Sequence, residues 1–136
     1  MLAHWLLKTE PSTYGWNDLT REKTAVWDGV SNPVALRNLA AMKPGDDALV
    51  YHTGNEKAVV GLARVTKAAY PDPKAGDPKL LVVEIAPVRA LARPVPLAEI
   101  KTDREFADSP LVRQGRLSVV PLTTAQFRRL TGAGSA

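Results

Sequence analysis

"DALVYHTGNEKAVVGLARVTKA", from Asp47 to Ala68, sets the fold class of this chain. Two apolar runs, "DALVYHT" and "AVVGLARVTKA", flank "GNEK", a compact polar turn. Runs of this composition joined by such a turn read as an antiparallel hairpin. Gly61 falls inside the second run. A residue without a side chain there marks a bulge or a close approach of another group to the backbone.

The segments on either side fit the same reading. "HWLLKT" (4–9) is a first strand, arriving at Lys8-Thr9-Glu10 before Pro11. "LLVVEIAPVRAL" (80–91) is a strand buried at its start, because its apolar run is continuous. "RLSVVPL" (116–122) supplies a last short strand. "WNDLTRE" (16–22) is a short helix, with Gly15 permitting the turn into it. Asn32 suits a helix cap and Pro33 the first helical position, ahead of "VALRNLAAM" and its stop at Pro44-Gly45. Helical spacing puts Val34, Leu36, Leu39 and Ala40 near one side. "VPLAEIKTD" and "SPLVRQG" read as helical turns, "YPDPKAGDPK" as a loop, and Thr123 with Gln126 as a capping box for "AQFRRL".

Short, nonlocal strands broken by small helices, with no repeated βαβ unit, predict an α+β fold. The expected architecture is a mostly antiparallel β-barrel decorated by short helices rather than a Rossmann-type sheet. At 136 residues one domain suffices, expected over residues 1–131 with "GAGSA" (132–136) as a tail.

There is no cysteine, which excludes disulfide frameworks, thiol nucleophiles and thiolate metal sites, and fits a reducing cytoplasm. No apolar run reaches membrane-spanning length, so no membrane partner is expected. The net charge of +4 is uneven. Met1 to Asp46 carries five basic and five acidic residues, whereas Ser109 onward carries Arg113, Arg116, Arg128 and Arg129 and no acid. A basic segment suits a polyanion, since each phosphate contact releases counterions. The same excess also serves solubility.

Catalytic chemistry is thinly supplied. Histidine occurs only at His4 and His52, and no metalloprotease, P-loop, dinucleotide or nucleophile-elbow motif is present. No metal site and no cofactor are expected. His52, beside Tyr51 at a strand end, reads as a general base, a hydrogen-bonding pocket wall or a satisfied core residue. Lys8, Thr9 and Glu10 place a cation, a hydroxyl and a carboxylate at one strand exit. They read as an exposed strand end or as groups for the polar edge of a nucleobase. Trp27, in "TAVWDGVSNP" (24–33), reads alone as core and otherwise as a stacking face. An indole, polar edges, a helix start and a basic flank together are what recognition of a flipped base requires.

The blocks "HWLLKTEPSTYGWNDL", "WDGVSNPVALRNLAAMKPGD", "VYHTGNEKAVVGLARV", "YPDP" and "RQGRLSV" resemble, in order and spacing, those of the EVE domain, a family of the PUA-like superfamily related in fold to YTH domains. The resemblance spans about His4 to Phe127. It implies a PUA-like barrel and a noncatalytic reader of a modified base, in DNA or RNA, with modified cytosine favoured. The implied pocket comprises Lys8, Thr9, Glu10, Trp27, Asp28, Val30, Ser31, Asn32, Tyr51, His52 and Ser118, with Arg113 and Arg116 on phosphate. Longer members have Arg-Asn-Tyr where this chain has Ser31-Asn32-Pro33. They also place tryptophans before the strand that begins here as "KLLVVEI", and the two departures together imply a base held between one aromatic face and aliphatic walls. On this reading Trp27→Ala abolishes binding with little loss of fold. The competing readings are an enzyme acting on a modified base or nucleotide, using His52 or Glu10, and a small-molecule or nucleotide sensor using the same pocket. A monomer is expected.

Overall fold

The computed structural model describes residues 2–132. In chain order the elements are β1 (His4–Thr9), α1 (Trp16–Glu22), β2 (Ala25–Trp27), α2 (Pro33–Ala41), β3 (Asp47–His52), β4 (Ala58–Pro71) and β5 (Leu81–Pro96). Then follow α3 (Leu97–Lys101), a 3-10 turn at Arg104–Phe106, α4 (Pro110–Arg113), β6 (Val119–Leu122) and α5 (Thr124–Thr131). The six strands form one sheet in the order β2-β5-β4-β3-β1-β6.

The α+β class and the hairpin are as expected, with β3 antiparallel to β4 from Asp47↔Arg64 to His52↔Ala58. The barrel is not. Among the described residues the ladder stays open, ending at the short edge strands β2 and β6. One pairing, β1 with β3, is parallel. Parallel neighbours need a long crossover, which here runs from Glu10 to Asp46 and carries α1, β2 and α2. The β4–β5 pair slips register at four places, each of which bends the ladder.

Gly61 satisfies both of its expected roles. Register shifts flank it, and a Cβ placed there would lie 2.5 Å from three ring carbons of buried Trp16. That is far inside van der Waals contact, so α1 packs on β4 only because Gly61 has no side chain. Gly61→Ala is expected to cost about 3 kcal/mol by overpacking, read as a lower urea midpoint at unchanged m-value.

The interior strands are covered on both faces, which is why they lack alternation: Trp5, Leu6 and Leu7 are buried in succession, as are Ala48 to His52. One buried carboxylate ties this centre to its surroundings. Asp46, 1% exposed, accepts from the Ala3 N–H (2.9 Å), the Trp5 indole N–H (3.0 Å) and the Lys43 N–H (2.9 Å). Burial pushes its pKa up, but these three hydrogen bonds outweigh that and hold the carboxyl below the usual range.

Local signals held best where a side chain meets its own backbone. Asn32 caps α2, accepting from Val34 and Ala35 N–H groups, and the Thr123–Gln126 capping box starts α5. The face of α2 is rotated from expectation: Ala35 and Leu39 are buried, with Met42 beyond the helix end, while Val34 and Ala40 are exposed. Strand β2 was not anticipated, being only three residues long. Strand β5 runs past the expected Leu91 through Pro94 to Pro96. Its pairing with β2 covers only Val83–Ile85, so a proline farther along can face the unpartnered side without costing a ladder bond. Gly132, the first residue of the expected tail, is the left-handed cap of α5; the rest of that tail lies outside the described residues. No helix among the described residues is long and apolar enough to cross a membrane.

Candidate functional site

Between the exit of β1 and the end of β2 lies a cleft of about 250 Å³, lined by Thr9, Thr13, Tyr14, Val26, Trp27 and Asp28. Its construction begins at Pro11, where the chain leaves β1 and turns back. The Thr13 and Tyr14 N–H groups both bond to the Glu10 carbonyl (3.0 and 2.9 Å). The Thr9 hydroxyl then donates to the Tyr14 carbonyl at 2.6 Å, closing the turn over the strand end. This sets the Tyr14 ring edge-on to Trp27, with centroids 6.2 Å apart and planes at 85°. Opposite, β2 is held by β5 through the Trp27↔Val83 register. Gly29, at φ +77°, then swings the chain away and leaves Asp28 exposed at the rim.

Trp27 is 7% exposed, packed in the core and at the same time a wall of the cleft. Its burial is that of a core residue, and the remaining face is turned to the cleft. Tyr14 is a second aromatic where one face was expected. Its hydroxyl donates to Glu22 Oε1 at 2.7 Å, and burial, then that bond, pushes its pKa up, so the ring stays a neutral, oriented wall.

Of the expected pocket residues, Thr9, Trp27 and Asp28 meet in this cleft. Val30 and Ser31 line a second cleft of about 360 Å³, which shares Asp28 with the first. Asn32 and Arg116 line a third, about 300 Å³, beside the start of α2. The loop from Trp27 to Asn32 is thus a wall common to three clefts, and the expected single cavity is divided. The Asn32 side-chain oxygen is already committed to capping α2.

The remaining expected residues stand behind or beside this loop. Lys8 donates from Nζ to the Gly115 carbonyl at 2.8 Å and lies 5.4 Å from the Tyr51 ring centroid; its burial lowers its pKa. Tyr51 is 3% exposed and belongs to the core. Glu10 accepts from the Ser12 N–H and hydroxyl, which lower its pKa. The Ser118 carbonyl takes the Lys8 N–H. His52 Nε2 accepts from the Trp16 N–H at 3.0 Å, which assigns the ring proton to Nδ1, the donor to Glu56 at 2.7 Å. Both nitrogens are thereby engaged in holding α1 and the β3–β4 turn. His4 is engaged likewise, stacked on Phe127 and bonded to Asp47.

The acid-free basic segment is also less bare than its sequence. Arg113 pairs with Asp108 (3.2 Å) and donates to the Ala107 carbonyl, and Arg129 pairs with Asp103 (3.5 Å). Arg116 and Arg128 keep guanidinium groups without an acidic partner among the described residues. Sequence reasoning missed Thr13, Tyr14 and Val26. The available signal was the Tyr14-Gly15 pair directly before a helix, an aromatic placed one turn from the strand exit.

The chain that folds into this open six-stranded sheet matches many solved structures. Residues 3–133 match the EVE domain, and the chain belongs to that family. It is similar to thymocyte nuclear protein 1 of Homo sapiens, 33% identical over 159 residues that cover 92% of this chain and 71% of the relative. Among solved structures it resembles human THYN1 protein in complex with 5-methylcytosine-containing DNA (32% identity, TM-score 0.88, 98% of each chain). It also resembles a protein from Agrobacterium tumefaciens (34% identity, TM-score 0.92, 97% of this chain and 92% of that one).

Proposed function

We propose that this chain is a noncatalytic reader of a modified base, foremost a modified cytosine in DNA, taken singly into the cleft beside Trp27. The observation that carries the reading is the cleft itself: two aromatic walls, Trp27 and Tyr14, meeting a polar rim of Thr9, Thr13 and Asp28. Its size, about 250 Å³, suits one planar ring rather than a whole nucleotide, sites for drug-sized ligands being ~300–1,000 Å³. The complex of human THYN1 with 5-methylcytosine-containing DNA supports DNA and modified cytosine as the starting choice. Engagement of both histidines in structural hydrogen bonds favours binding over acid–base chemistry. The chain is expected to act as a monomer, one base to one chain, in the cytoplasm.

Phosphate falls to Arg116 in this reading. Lys8 acts one step back: its bond to the Gly115 carbonyl fixes the loop from which Arg116 projects. Titrating the protein against DNA and RNA oligonucleotides that differ only in one modified base tests the whole reading. Equal binding to every member of that panel overturns it. Arg116→Ala is expected to weaken all of them alike and to lower the salt slope by about 1, the signature of a lost phosphate contact.

A further inference from the structure

We propose that Asp28 makes this site selective for the amino edge of a base, so that it separates 5-methylcytosine from thymine. The inference rests on the reader function above and deepens it. The two bases carry the same 5-methyl group on the same ring. They differ at position 4, where cytosine presents an N4 amino donor and thymine an O4 acceptor. An aromatic wall stacks equally on both. Methyl recognition alone therefore leaves the abundant base bound as tightly as the rare one, and the polar rim must discriminate.

The rim of this cleft is rich in acceptors. A carboxylate only accepts, and that of Asp28 has no hydrogen-bond or ion-pair partner among the described residues. The Thr9 hydroxyl has spent its proton on the Tyr14 carbonyl at 2.6 Å, so it too has only lone pairs left. The Tyr14 hydroxyl has spent its proton on Glu22. Among the described residues, Thr13 is the one side-chain hydroxyl of the lining whose proton has no acceptor. Two acceptors and one donor complement an edge with an amino group beside a ring nitrogen acceptor, as in cytosine. A keto oxygen in the amino position would face the Asp28 carboxylate and Thr9 lone pairs without a proton between them. Specificity of this kind comes from leaving polar groups unpaired against the wrong base. The Asp28 charge also keeps phosphate out of the cleft and on the Arg116 side.

The test uses single-stranded oligonucleotides identical except for 5-methylcytosine, thymine or an abasic site at one position, so that no partner strand contributes. The wild-type protein is expected to prefer 5-methylcytosine over thymine by about tenfold, the scale of one good polar base contact. In Asp28→Asn an amide N–H can meet O4, and the preference is expected to fall to about onefold to twofold, mainly by a gain for thymine. Asn serves the turn before Gly29 as Asp does, so the variant should keep the wild-type melting temperature. Asp28→Ser, which removes the charge and also suits a turn, should collapse the preference as well. An unchanged ratio in both variants, or a wild type that binds thymine as tightly as 5-methylcytosine, overturns the role of Asp28 while leaving a base reader standing. A wild type that binds the abasic strand as well as the others overturns the reader and this assignment together.

Discussion

Asp46→Ala should lower stability by about 3–5 kcal/mol, a large share of the roughly 5–15 kcal/mol that native domains have. The carboxylate is 1% exposed and takes three hydrogen bonds, from the backbone at Ala3 and Lys43 and from the Trp5 indole. Removing it strands three donors at once, and the Trp5 indole, itself in the core, has least access to water as a substitute. Asp46→Asn should fall between, because one amide oxygen cannot serve donors on both sides of the group. Urea unfolding measures both. The pH dependence has a definite sign. Asp46 is held below the ordinary carboxylate range when folded, so its contribution is complete above the unfolded value, about 3.9. It is lost as pH falls through the lower folded value. The stability gap between wild type and Asp46→Ala should therefore narrow on acidification below about pH 4, and an unchanging gap would contradict the ionised network.

Trp27→Ala carries the second large effect, and it acts on two properties together. Stacking of a base on an aromatic ring contributes about 1–3 kcal/mol, so binding should weaken by roughly 5- to 150-fold. Truncating a tryptophan that is 7% exposed should also cost about 3–5 kcal/mol of stability, against the expectation of little loss of fold. Trp27→Phe separates the two, keeping an aromatic wall against Tyr14 with a smaller cavity behind it. It should retain measurable binding while losing half as much stability, about 1.5–2.5 kcal/mol. Wild-type affinity in Trp27→Ala, measured on protein shown by melting to be folded, would remove Trp27 from the site.

Trp27 also shows why the site was partly readable in the chain and partly not. Its indole, the Asp28-Gly29 turn and the Asn32-Pro33 helix start are neighbours in sequence, and their roles follow from local chemistry. Tyr14 lies thirteen positions earlier and reaches Trp27 only because the turn after β1 folds back while β2 docks on β5. The basic end illustrates the converse error. Arg113 and Arg129 read as free charge because Asp108 and Asp103 fall outside the acid-free segment, yet both acids reach them in space. His52 reads as a candidate base until Trp16, thirty-six residues away, is seen to occupy its Nε2.

Local chemistry alone specified the β3–β4 hairpin, the Asn32 and Thr123 caps and the special place of Gly61, since a cap or a turn is satisfied within a few residues. The parallel join of β1 to β3, the open edges of the sheet and the division of one expected pocket into three clefts were settled in three dimensions. Strand partners and cleft walls come from segments far apart in the chain, and the contacts that select them are burial and side-chain pairing, which have no signature at any single position.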